Sequence, residues 1–155
     1  KTLQEQAYDA CILASAGLIR SGLEDKIANH LSAEKFIPAP GQGALAIELR
    51  DQDSQLLGVL SALDHPPSRR CITAERAFLA SIEGGCNMPV GAHAKISADL
   101  MTLSVFIGNI DGTEHIRQKA SGNSSDPHHL ALEAYQRVIE HGGRTLLSSI
   151  RGLEK

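Results

Sequence analysis

The sequence predicts an α/β segment ahead of Asp64, followed by a small α+β domain from Asp64 to Lys155 in which helices cover a three-stranded antiparallel sheet. Three observations predict it. The apolar run Ala10-Cys11-Ile12-Leu13-Ala14 has the pattern of a strand buried on both faces, which belongs in a parallel sheet. Beyond Asp64, three strand patterns lie between two helical stripes, and Asp111-Gly112 joins the last two strands as a hairpin turn. Apolar residues make 42% of the 155 and charged residues 21%, a globular balance rather than a disordered one.

Taken in order, the buried strand pattern at Ala10–Ala14 leads into a short helix over Ser15–Arg20 and a second over Glu24–Leu31, where Ile27 and Leu31 share a face at i,i+4. One strand and two short helices do not cover such a strand, and the chain opens on Lys1. The expectation is therefore that an N-terminal part of comparable size belongs with this piece. Pro38-Ala39-Pro40-Gly41-Gln42-Gly43 marks a tight loop. Leu45–Arg50 alternates, with Leu45, Ile47 and Leu49 on one side and Glu48 and Arg50 on the other, the pattern of a half-buried strand. Asp53 suits the N-cap of a helix bearing Leu56, Leu60 and Leu63.

From Asp64 the pattern is self-contained. Pro66 and Pro67 start a helix with the stripe Ala74, Ala77, Phe78 and Ile82, and Gly84-Gly85 stops it. Strands are expected over Val90–Ser97, Thr102–Ile110 and Glu114–Ser121. Asp126 caps the next helix, whose buried face is Ala131, Ala134, Tyr135, Val138 and Ile139, with Gly142-Gly143 as its stop. Leu146, Leu147 and Ile150 fit a closing helix.

Fifteen basic against eighteen acidic residues argue against a protein that coats nucleic acid, and five aromatics without tryptophan give no stacking platform for single strands. No apolar run reaches the ~20 residues of a membrane span. Cys11, Cys71 and Cys86 form no CxxC pair and no closed disulfide set, which points to a reducing, cytoplasmic compartment. Cys11 and Cys71 read as core. No His or Cys pair has metal-ligand spacing, so no metal is expected.

Chemistry concentrates at Glu83-Gly84-Gly85-Cys86-Asn87-Met88-Pro89. A thiol between a diglycine stop and a proline sits in a loop, where it can face a cleft as a soft nucleophile. On spacing alone, a small hydrophobe filling a packing gap is the simpler role. Gly41-Gln42-Gly43 lacks the Lys-Ser/Thr of a phosphate loop and opens a strand, so a crossover turn is favoured over a nucleotide site, although Gln42 can offer amide hydrogen bonds. Arg20, beside small residues, can present a fork to a carboxylate or simply sit as a cation at a helix C-terminus. Glu75 and Glu83 show no paired-carboxylate arrangement.

Tyr8-Asp9-Ala10 through Leu18, Pro38 through Ala44, Glu48 with Arg50, Thr73-Ala74-Glu75-Arg76-Ala77, and Glu83-Gly84-Gly85-Cys86 with Pro89 occur in order. Together they resemble the C-terminal half of the porphobilinogen deaminases, or hydroxymethylbilane synthases. The resemblance implies condensation of four porphobilinogen molecules into linear hydroxymethylbilane with release of ammonia. It also implies a dipyrromethane cofactor held as a thioether on Cys86, with porphobilinogen and growing pyrrole oligomers as ligands. Arg20 matches a family arginine that pairs with acetate and propionate groups, and Leu13, Ala14, Gln42 and Gly43 match positions lining the cleft. The implied architecture is the end of a periplasmic-binding-protein-like α/β domain pair followed by the cysteine-bearing domain. Residues 1–43 would close the second domain, 44–63 return to the first, and 64–155 form the third. The family's catalytic aspartate lies in its N-terminal half, so no catalytic residue is assigned in this segment and that half is the expected partner. A non-catalytic ligand-binding or scaffold module that kept the fold is the competing reading.

Overall fold

The computed structural model describes residues 8–83 and 88–152, the side chains of 151 and 152 excepted. The chain divides into two compact units, Lys1–Ser32 and Ala33–Lys155.

In the first unit, helix α1 spans Ser15–Arg20. Its C-terminus closes as a Schellman motif: Leu23 N–H donates to the Leu18 carbonyl at 2.9 Å and Gly22 N–H to that of Ile19 at 3.0 Å, with Gly22 at φ 68°. The expected strand at Ala10–Ala14 is not formed. These residues are irregular, and Ile12 and Leu13 are well exposed. A strand exists only as one side of a hydrogen-bonded ladder, and the described residues of this unit contain no second strand. Cys11 is accordingly exposed rather than core. The expected helix over Glu24–Leu31 shrinks to a single 3₁₀ turn, Glu24–Lys26, because two turns without a buried face do not repay helix nucleation.

The second unit opens with irregular chain and two turns through Pro40–Gly43. The expected strand over Leu45–Arg50 is also absent. Leu45 is 86% exposed, for want of a pairing neighbour among the described residues. Helix α2, Ser54–Leu60, begins where Asp53 accepts from Leu56 N–H at 3.1 Å and ends in a 3₁₀ turn, Ser61–Leu63. Helix α3, Pro66–Ser81, starts with proline at N1 behind His65 as N-cap.

The sheet has the order β1-β2-β3, from Val90–Ser97, Leu100–Gly108 and His115–Asn123, all antiparallel. Its two hairpins turn at Ala98-Asp99 and around Asp111-Gly112, where Thr113 N–H and hydroxyl both donate to the Asp111 carboxylate. One face carries Ala92, Ala94, Met101, Leu103, Val105 and Ile107, all buried. Against it pack Ala74 and Phe78 of α3 and its C-cap Ile82, together with Leu130, Ala131, Ala134 and Val138 of α4, Pro127–Val138. Asp126 caps α4 by accepting from His129 N–H at 3.2 Å. After a kink at Ile139–Gly143, where Gly142 takes φ 90°, helix α5 (Arg144–Gly152) brings Leu146, Leu147 and Ile150 into the same core.

The free edge of β1 is closed by chain from outside the sheet. Ala92 N–H donates to the Pro38 carbonyl at 2.9 Å, and Ala94 N–H to Glu75 Oε1 at 2.8 Å. Residues 35–38 cross here as a strap, and Arg117, stacked over the Phe106 ring, donates to the Lys35 carbonyl at 2.9 Å. Gly91 makes the crossing possible, since a Cβ there would lie 2.7 Å from the Ile37 carbonyl oxygen. Gly91→Ala is therefore expected to destabilise the chain by about 1–3 kcal/mol, as overpacking does, read as a lower urea midpoint; an unchanged midpoint would refute the tight crossing.

Candidate functional site

The residues singled out by sequence fall in both units. In the first, Ala14 is the N-cap of α1, Leu13 precedes it with 59% exposure, and Arg20 ends the helix. Arg20 is exposed and has no ion-pair partner among the described residues, so its guanidinium remains available for a carboxylate. The helix end also favours a cation there.

In the second unit, Gln42 and Gly43 sit in a double turn. Gln42 N–H donates to the Ala39 carbonyl at 3.0 Å and Ala44 N–H to that of Gly41 at 3.2 Å. Gly41 and Gly43 take φ 77° and 83°, a region that side-chain-bearing residues avoid, so both glycines of the motif are required by the turn itself. Gln42 and Gly43 are exposed, which leaves the carboxamide and the adjoining backbone open to a ligand.

Cys86 lies outside the described residues, as do Gly84 and Gly85. The chain on both sides of them is anchored. Ile82, the C-cap of α3, is fully buried, and Met88 is 8% exposed. Just beyond, the Pro89 carbonyl accepts from Gly108 N–H at 3.0 Å as β1 begins.

Sequence reading passed over Glu75. Its side chain is 4% exposed, and its two oxygens take different backbone donors: Gly41 N–H on Oε2 and Ala94 N–H on Oε1, both at 2.8 Å. The signal was in the spacing, because Cys71, Glu75, Phe78 and Ile82 form one helical stripe and a carboxylate on that stripe must be buried. Beside it, burial and the Glu75 charge push the Cys71 thiol up, against the weaker opposing pull of Arg70 and the Ile96 amide.

Two family models match in succession. The porphobilinogen deaminase, dipyromethane cofactor binding domain covers residues 1–58, and the porphobilinogen deaminase C-terminal domain covers residues 69–140. The chain belongs to the porphobilinogen deaminase family. The porphobilinogen deaminase of Roseiflexus castenholzii (strain DSM 13941 / HLO8) is 45% identical over 148 residues, 96% of this chain and 48% of that protein. That of Coxiella burnetii (strain Dugway 5J108-111) is 40% identical over 144 residues, 93% of this chain and 47% of that protein. The chain thus spans about half the length of these curated relatives. The seam between the two family domains, residues 59–68, runs from the end of α2 into the first turn of α3, so the Glu75 bond to Gly41 crosses it.

The cysteines separate by reactivity. A raised pKa leaves less thiolate at a given pH, so at pH 8 iodoacetamide should label exposed Cys11 well before Cys71, whose labelling should climb only in more alkaline buffer. Peptide mass spectrometry over a pH series checks this, and equal rates at pH 8 would contradict it.

Proposed function

We propose that this chain is the cofactor-carrying half of a hydroxymethylbilane synthase, which condenses four porphobilinogen molecules, releases ammonia and frees linear hydroxymethylbilane. Cys86 Sγ is the covalent anchor of a dipyrromethane, which when bound primes the growing chain at its free α-position. Arg20 pairs with acetate and propionate groups, the Gln42 carboxamide and the Gly43 backbone hydrogen-bond the ligand, and Leu13 and Ala14 line the cleft. The available Arg20 guanidinium and the open glycine turn fit a ligand so rich in carboxylates.

In this reading residues 1–43 end the second of two periplasmic-binding-protein-like α/β domains, 44–63 return to the first, and 64–155 form the third. The family's N-terminal half is the partner, it supplies the catalytic aspartate, and the assembled enzyme works in the cytoplasm. The exposure of Ile12, Leu13, Leu45 and Ile47 supports this, because apolar residues with strand patterning need a neighbouring sheet. The observation that carries the reading is the pair of family domains matched in order along the chain.

The test is a mass and colour measurement. Chain purified together with the complementary half should carry a dipyrromethane adduct by intact mass and by the Ehrlich reaction, and Cys86→Ser should lose it. An unmodified Cys86 in that complex would instead favour a binding module without the chemistry. The chain by itself should form no bilane from porphobilinogen; sustained turnover would refute the division of labour. In the complex, Arg20→Leu should weaken porphobilinogen binding roughly 10- to 100-fold, the loss expected for one charge-assisted hydrogen bond, seen as a higher KM.

A further inference from the structure

Burying a carboxylate is unfavourable unless it is fully hydrogen-bonded, and Glu75 is buried without a lysine or arginine ion-pair partner among the described residues. Its two oxygens are met by two backbone amides, and His93 Nδ1 lies 3.8 Å from Oε1. The two amides come from opposite directions in sequence, Gly41 from 34 residues before and Ala94 from 19 after. One oxygen would suffice to close the β1 edge. The second reaches the turn that carries Gln42 and Gly43.

We propose that Glu75 is a positioning residue whose carboxylate holds the Pro38–Gly43 turn in fixed register with the helix that leads to Cys86. The functional half of this statement rests on the cofactor role given above to Cys86, Gln42 and Gly43. Glu75 and Ile82 lie two turns apart on one face of α3 and its cap, so the helix carries the placement roughly 10 Å along its axis to the start of the cysteine segment. Gly41 takes φ 77°, so its amide is aimed by the backbone and not by a side chain. Only a carboxylate fits both donors. A glutamine turns an N–H₂ toward one of them, and an aspartate is one methylene short.

Amide exchange in the 15N-labelled 155-residue chain tests this without reference to any cofactor. In Glu75→Gln, exchange at Gly41 or Ala94 should rise about tenfold or more, the loss of one charge-assisted bond, while Leu103 and Val105 in the central strand stay within about twofold. Glu75→Ala should release both amides. If that variant does not fold, the glutamine variant decides alone. Unchanged exchange at both amides, or a uniform rise across the sheet, overturns the proposal. In the complex with the complementary half, Glu75→Gln should slow formation of the Cys86 adduct while leaving the sheet amides protected, and adduct formation at the wild-type rate also overturns it. A wild-type complex with no adduct, alongside the local exchange response, would remove the function proposed above and leave the backbone clamp standing.

Discussion

The outward amides of β1 are the constraint on which the second unit depends. An edge strand presents a row of unpaired donors, and leaving buried ones unsatisfied is unfavourable. Here the donors at Ala92 and Ala94 are met by a loop carbonyl and a helix carboxylate. The same two bonds therefore close the sheet, seat α3 beside it and bind a segment from the far side of the family-domain seam. What looks like edge protection also ties Pro38 and Gly41, matched by the first family model, to the sheet and helix matched by the second.

This junction explains why small residues recur where they do. Gly91 lets the Ile37 backbone pass within contact of β1, and Gly41 turns an amide into the space above α3. Gly91 removes a side chain so that backbone can approach backbone, whereas Gly41 is needed for its φ of 77°, a Cβ there meeting nothing within 4 Å. The apolar work is done elsewhere, by Phe78, Ile82, the inward row of β2 and the stripe of α4.

Much of the second unit was legible in the sequence because its signals are local. The Asp53 and Asp126 caps, the proline start of α3, the Asp111-Gly112 hairpin and the glycine after α4 each act within a few residues, and each appears in place. The strands expected at Ala10–Ala14 and Leu45–Arg50 did not form because a strand is a property of a pair, and no periodicity in one segment supplies the other. Cys11 failed with them, its burial having been inferred from a strand that needs neighbours. Glu75 was passed over for the opposite reason: its partners are backbone amides, which carry no residue identity to search for. The turn at Gly41-Gln42-Gly43 was read correctly as a turn, but the bond that holds it was invisible.

The two borders of the sheet are unlike. Where β1 is covered, β3 has no further strand beside it among the described residues and carries His115, Arg117 and Lys119 at every second position. Two copies meeting along that border in antiparallel fashion would bring the Arg117 and Lys119 cations of each close to those of the other. One flank is thus guarded by its cations, and on the other the outward amides of Ala92 and Ala94 are already taken.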